Sequence, residues 1–274
     1  MTLASLLVQM ANGLASASSL FLVAAGLSLI FGVTRIVNFA HGSFYVLGLY
    51  LAWSLVEWFG RTSVLGFWGG IALASLIVGV LGALVEMTIL RRIYRAPELF
   101  QLLATFALVL IVRDALLAIW GAENLLGPRA PGLGSGVEIL GRRLPAYDIF
   151  LIGFGPLVLL LLWLLLTRTR FGRLIRAATQ DREMVAALGV NQAWLFTGVF
   201  ALGCALAGLG GALQLPREPA SLLLDTAIIA EAFVVVVVGG LGSLPGAFLA
   251  ALLIAEAKAL CIALGDQSVF GFTI

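Results

Sequence analysis

Hydrophobic and polar positions alternate in long blocks, not with the short period of a soluble helix or a half-buried strand. Apolar runs cover Leu14–Gly32, Phe39–Phe59, about Leu65–Leu90, Phe100–Trp120, Ile149–Leu166, Ala193–Leu215, Thr226–Val238 and Ala247–Leu264. Runs of about 20 residues match the ~30 Å of hydrocarbon that an α-helix must cross, whereas a β-barrel would need alternating segments of about 10. The expected fold class is therefore an all-α polytopic membrane protein with about eight membrane segments, some of them broken or short. The thirteen residues of Thr226–Val238 are too few for a regular crossing. They predict either a short tilted segment or a helix broken by the GGLGSLPG stretch, residues 239–246. The connection before the second run is also tight. It puts Asn38, His41 and Gly42 where unwound backbone is tolerated only against protein or a water-filled cavity.

Small residues recur four apart in two of the runs: Ser75, Gly79 and Ala83 in the third, and Gly203, Ala207 and Gly211 in the sixth. Such stripes predict faces on which another helix approaches closely. Pro97 suits a helix start, and Ile149–Leu166, nearly all Leu in its second half, reads as a lipid-facing helix. Residues 122–148 hold many Gly and Pro and mixed charges without a helical period, which predicts an irregular extramembrane loop.

Charge then sets an orientation. The 91–95 and 168–190 connections are both basic and lie two spans apart, so both are expected in the cytoplasm together with Arg35. Arg61, the 122–148 loop and the PREPASLLLD connection then face outward. This arrangement puts nine arginines on cytoplasmic connections against five outside. The first residues, MTLASLLVQMANG, lack a basic stretch before their apolar part, so the first segment is expected to stay in the protein.

Composition excludes several function classes. With 62% hydrophobic and 11% charged residues and a mean hydropathy of +1.12, the chain is too apolar for a water-soluble globule. A net charge of +2 without a basic patch interleaved with aromatics gives no nucleic-acid surface. Cys204 and Cys261 have no partners at motif spacing and read as small hydrophobes. His41 is the only histidine, which predicts a hydrogen-bonded structural role and no metal site. GGLGSLPG lacks the Lys of a phosphate loop, and Pro245 stands where a dinucleotide fingerprint needs Gly. No catalytic constellation is legible: the expectation is no enzyme, no cofactor and no metal. Ionisable groups inside spans need a partner, a cavity or the interface. Arg113, beside Asp114, is expected to pair. Glu86 and Glu256 are expected to pair with a nearby Arg or with Lys258, and Glu231 to pair structurally. The alternative is a proton-coupled secondary transporter that uses Glu231 or Glu86 as its proton site, and a further one is a purely structural subunit.

The stretch Arg168–Asn191 is a soluble island in this apolar chain and carries Arg168, Arg170, Arg173, Arg176 and Arg182. Leu174–Leu188 contains no Gly or Pro and is followed by Gly189, which predicts one short extramembrane helix with a glycine stop. Arg168–Arg173 are explained as positive-inside anchors. HGSFYVLGLYLA (41–52) and PGAFLAALLIAE (245–256) form a weak repeat, each just after an interruption, a pattern that points to a transport path. Asn38, Phe39, His41, Gly239 and Gly240 at these two interruptions are therefore the substrate-path candidates.

GLSLIFGVTRIVNFAHGSFYVLGLYLA (26–52), RAATQDREMVAALGVN (176–191) and AFVVVVVGGLGSLPGAFLAALL (232–253) together resemble the LivH-type permeases of bacterial branched-chain amino acid ABC importers. The resemblance implies one transmembrane permease domain over 1–274 in the bacterial inner membrane, with 168–190 as a cytoplasmic coupling loop and 122–148 as an extracytoplasmic loop. It implies four kinds of partner: a LivM-like second permease, two cytoplasmic ATPase subunits, a periplasmic substrate-binding protein and membrane lipid. It also makes Arg176, Ala177, Asp181, Ala187 and Gly189 the ATPase-coupling positions. Such permeases carry one further C-terminal helix, so a chain ending at Ile274 is expected to be truncated. The substrate implied is a branched-chain or related small amino acid.

Overall fold

The computed structural model describes residues 3–139, 142–264, 268–269 and 272–273. Its helices are α1 (Leu3–Thr34), α2 (His41–Phe59), α3 (Val64–Val85), α4 (Arg91–Ile93), α5 (Glu98–Trp120), α6 (Ala146–Arg168), α7 (Arg170–Gln180), α8 (Arg182–Ala187), α9 (Gln192–Ala212), α10 (Leu224–Gly239) and α11 (Leu244–Leu264). A π-helical turn, Glu86–Leu90, joins α3 to α4 into one continuous rod. The position of Ile274 lies outside the described residues.

Among the described residues, six helical segments are long and apolar enough to cross a membrane: Leu6–Thr34, Val64–Ile93, Glu98–Trp120, Ala146–Arg168, Gln192–Ala212 and Leu244–Ala263. The chain is a multi-pass membrane protein of helical fold, but the six do not include α2 or α10, which the hydropathy pattern counts as spans. Their omission has a physical basis. In α2 the polar residues His41 and Ser43 and both tyrosines are buried inside the bundle, so this helix need not be lipid-soluble along its length. α10 has only sixteen residues.

The bundle is organised around α1 and α9. Their spans are 83% and 72% buried, against 17% for α5 and 22% for α6, which form the periphery and leave their outer faces apolar, as the Leu-rich fifth run predicts. Small residues make the centre possible. A side chain at Gly211 would overlap the Tyr45 carbonyl, one at Gly48 would overlap the Gly208 carbonyl, and one at Gly26 would overlap the Gly203 carbonyl. Helix backbones touch at these points, and α1, α2 and α9 can only pack this way with Gly there. The α3 stripe meets α9 as expected: Ser75 donates to the Ala205 carbonyl at 2.8 Å, and Gly79 lies against Ala201 and Ala205.

Two connections and one side chain differ from expectation. The 122–148 loop contains a two-stranded antiparallel hairpin, β1 (Gly136–Ile139) with β2 (Arg142–Pro145), and its last residues already belong to α6. The short period-2 alternation of Val137 to Ile139 was hidden among the glycines. Of the two alternatives for Thr226–Val238, the short segment is the one observed: α11 folds back on α10 through residues 240–243, with Gly239 packed on the Gly246 backbone. Gly240 and Gly242 have φ of +89° and +85°, a turn that side chains disfavour. The basic island holds two helices, α7 and α8, not one. Arg113 makes no ion pair among the described residues, because α5 touches the bundle through α2 and leaves most of its surface open.

The connections sort onto two ends as the charge pattern predicts. Thr34, Arg35, Tyr94, Glu98, Gln180 and Asp181 line one cavity, so the Arg35, 91–97 and 168–191 segments share an end. At the other end Leu125 pairs with Ala220, and Arg217 binds Asp148 at 3.0 Å, which joins the 122–148 loop to the PREPASLLLD connection.

Candidate functional site

The exposed island at the first end is built from two short helices by explicit caps. Thr169 accepts from Gly172 N at 3.0 Å and starts α7, which buries Gly172, Ile175 and Ala178 on one face and exposes Arg173, Arg176 and Ala177 on the other. Asp181 stands between the helices in extended conformation, φ −148° and ψ 99°. Its carboxylate accepts from Glu183 N and Met184 N, each at 3.0 Å, and so starts α8. This cap is why the helix read as Leu174–Leu188 is divided. The glycine stop is present: Gly189 has φ +81°, Gly189 N donates to Ala186 O at 2.9 Å, and Val190 N donates to Val185 O at 3.3 Å.

Arg176, Ala177, Asp181, Ala187 and Gly189 are all exposed, as are the apolar side chains of Met184 and Leu188. The island therefore shows a basic face and two uncovered apolar side chains side by side, while Val185 and the buried face of α7 fix it to the bundle. Phe171 also lies against Gly198 of α9, which ties α7 to one of the two central helices.

Beneath the island lies a buried charge network. Glu86, at the start of the π turn, is fully buried. It accepts from Thr197 Oγ1 at 2.6 Å, from Tyr94 Oη at 3.0 Å and from Arg91 Nη2 at 3.0 Å. Arg91 reaches the Thr197 hydroxyl as well and donates to the Ala193 carbonyl at 3.3 Å. The pairing of Glu86 with an arginine is as expected; the part played by Thr197, 111 residues away, is not legible in sequence. Burial, with the neighbouring Glu86 charge second, raises the Tyr94 hydroxyl above its ordinary pKa, so it remains a donor. A cavity of about 670 Å³ lies between Arg91, Arg92 and Arg95 and the start of α9, with Glu183 and Ala186 of α8 on its wall.

Asn38, Phe39 and His41 stand at the start of α2, and Gly239 and Gly240 at the end of α10. Asn38 and His41 are fully buried: Asn38 Oδ1 accepts from Ala40 N at 3.1 Å, and His41 Nε2 lies 3.0 Å from the Val23 carbonyl. Since Nε2 faces a carbonyl it carries the proton, and Nδ1 is left without a partner among the described residues. This is the structural histidine that the sequence suggests. Phe39 reaches α10, its ring 5.4 Å from that of Phe233. Gly239 packs on α11 and Gly240 makes the turn.

Polar groups gather between α1, α10 and α11. Lys258 binds Glu231 at 2.6 Å. The expected partner of Lys258, Glu256, has both carboxylate oxygens buried against Gly13 without a hydrogen bond among the described residues. Lys258 and Glu231 lie 27 positions apart and meet because the 240–243 turn makes α10 and α11 antiparallel. A sequence reading that treats GGLGSLPG as a helix break has no means to find this pair. Among the described residues no cluster of His, Cys, Asp and Glu is arranged to hold a metal ion.

Comparison with known proteins adds an independent line. The family profile described as branched-chain amino acid transport system / permease component matches residues 9–271. The chain is 30% identical to the high-affinity branched-chain amino acid transport system permease protein BraD of Pseudomonas aeruginosa, over 95% of this chain and 88% of that protein. It is 26% identical to LivH of Escherichia coli over 93% of this chain and 85% of that one. The similarity extends to LivM of Salmonella typhimurium, 28% identical over 86% of this chain and 59% of that protein. No solved structure matches the chain.

Proposed function

The chain belongs to the branched-chain amino acid transport system permease family, and on that premise we propose that it is a membrane subunit of an ATP-driven importer for a branched-chain or related small amino acid. The protein forms part of the path, and the ATP is hydrolysed by separate subunits. The family is one of transport permease components, not of enzymes. The proposed partners are a LivM-like second permease, two ATPase subunits on the cytoplasmic side and a substrate-binding protein on the outer side, in a bacterial inner membrane. Residues 168–190 are the proposed cytoplasmic coupling loop within one permease domain over 1–274, and 122–148 the outer loop.

The observation that carries this reading is the exposed α7–α8 pair, with its basic face and uncovered Met184 and Leu188, packed on the helices around which the bundle is built. An ATPase that binds this surface and moves it displaces α9 through Phe171 and Val185, and displaces α3 through the Glu86 network. Arg176, Ala177, Asp181, Ala187 and Gly189 are the proposed contact positions; the two interruptions at 38–41 and 239–240 stand beside the moving helices. The proton-coupled alternative rests on Glu86 and Glu231, and both are held in ion pairs.

The test is co-purification. The permease, co-expressed with ATPase subunits of its own system, is expected to retain them, and reversing the charges at Arg176 and Asp181 is expected to release them and stop uptake. Retention and uptake unchanged by these reversals would remove the coupling assignment.

A further inference from the structure

We propose that the open cavity between α1, α10 and α11 receives the charged ends of a zwitterionic amino acid, with Lys258 taking the carboxylate and Glu231 the ammonium. The proposal rests on the transport function above and names a site for it.

The cavity is about 280 Å³. Glu231 lies near the middle of α10 and Lys258 well inside α11, both helices otherwise almost wholly apolar. Charged groups in such positions are excluded from lipid by their hydration cost, so the face that carries them looks into a polar space. The two are also not sealed in a core, since the Lys258 side chain keeps 54% of its accessible surface and that of Glu231 32%. A charge pair that lines a cavity and remains accessible is placed for a ligand.

Its geometry suits a zwitterion. Lys258 Nζ and Glu231 Oε1 are 2.6 Å apart, so a carboxylate and an ammonium borne on one carbon of a ligand can open the pair and replace one contact with two. Lys258 and Glu231 then each have an opposite neighbour before and after entry. A ligand with one charge would leave either the lysine or the glutamate without its opposite charge. The remaining wall divides in two. Gln9, Asn12 and Glu218 are polar, whereas Ile228, Ala255 and Ile262 are aliphatic and fit an apolar side chain.

The cavity also has an approach. A second one, of about 730 Å³, is lined by Arg129, Arg143 and Arg217 and shares Asn12 with the first. Arg217 stands at the junction: its Nε binds Asp148 at 3.0 Å and its Nη2 donates to the Asn12 carbonyl at 3.4 Å. Its Nη1 is buried with no partner among the described residues. The approach opens on the end that carries the 122–148 loop, where a delivered amino acid would arrive carboxylate first toward three arginines.

The test uses the complete importer in liposomes, with its binding protein outside and ATP inside, and follows labelled leucine. Glu231→Gln and Lys258→Met are each expected to lower uptake at least tenfold. The double variant Glu231→Gln/Lys258→Met removes the unpaired charge, so its abundance and thermal stability should return to normal while uptake remains at least tenfold down. A purely structural ion pair predicts that uptake returns together with stability, and wild-type uptake in the double variant would overturn the site. If the wild-type importer itself moves no leucine or related amino acid, the transport function fails and the site with it; that result is distinct from active transport in all four proteins, which removes the site alone.

Discussion

Thr197 donates its hydroxyl to Glu86 at 2.6 Å, and this bond joins the π turn after α3 to the second turn of α9 beneath the exposed α7–α8 pair. Glu86 has no access to water, whereas the Arg91 side chain that pairs with it is 37% exposed. Replacing Glu86 with Ala leaves Arg91 and the Tyr94 hydroxyl without their acceptor. Because Arg91 can turn toward water, the expected loss is about 1–3 kcal/mol, below the about 3–5 kcal/mol of a fully buried broken pair. Thr197→Val removes a single donor and should cost about 1 kcal/mol. Thermal unfolding of the purified variants measures both; a neutral Glu86→Ala would show that the network holds nothing together.

The backbone contacts at the centre give a contrast within one residue type. Gly48→Leu would drive a side chain into Gly208 of α9, so folded protein is expected to be lost. Gly69 in α3 is exposed and has nothing within 4 Å of the position a Cβ would occupy. There Gly69→Ala should be neutral or stabilising by about 0.5–1 kcal/mol, the helix preference for Ala over Gly. Membrane-extracted yield of the two variants, compared with wild type, decides the matter; equal yields would contradict the packing.

Asp181 and Arg176 separate stability from coupling. Asp181→Ala removes both cap bonds of α8 and should cost about 1 kcal/mol, while Asp181→Asn, whose side-chain oxygen can still accept, should keep most of it. Arg176 is exposed and makes no ion pair among the described residues, so Arg176→Glu should leave stability within about 0.5 kcal/mol yet reduce ATPase retention. Unfolding curves paired with pull-down give both quantities from one preparation.

Tyr94 gives a pH dependence with a definite sign. Its folded-state pKa lies above the ordinary 10.0, chiefly through burial. Its contribution is therefore complete below pH 10 and is lost as the pH rises above it, because the unfolded chain releases the proton first. Wild type and Tyr94→Phe should show parallel stability from pH 7 to about 9.5, and only wild type should lose this increment at higher pH. A divergence confined to neutral pH would contradict the arrangement.

What the sequence made legible were features that depend on neighbours in the chain. The length of six of the apolar runs, the α3 stripe, the Gly189 stop and the shared end of the Arg35, 91–97 and 168–191 segments all follow from local pattern, and all are present. The misreadings depend on tertiary structure or on one short side chain. Asp181 divides a helix that propensity alone would continue, because its carboxylate offers the backbone a competing partner. α2 fails a lipid test that its buried tyrosines and His41 never have to meet. The meeting of Glu231 with Lys258 depends on a turn between two helices that composition marks as glycine-rich without saying which way the chain goes next.

The central claim, that this permease moves an amino acid at the expense of ATP hydrolysed by an attached ATPase, is tested most directly by uptake into liposomes that hold the complete importer and enclosed ATP. Uptake of labelled leucine that stops with vanadate and persists with a protonophore is the result expected. Uptake that persists with vanadate and collapses with the protonophore would contradict it, and would return Glu231 or Glu86 to consideration as a proton site.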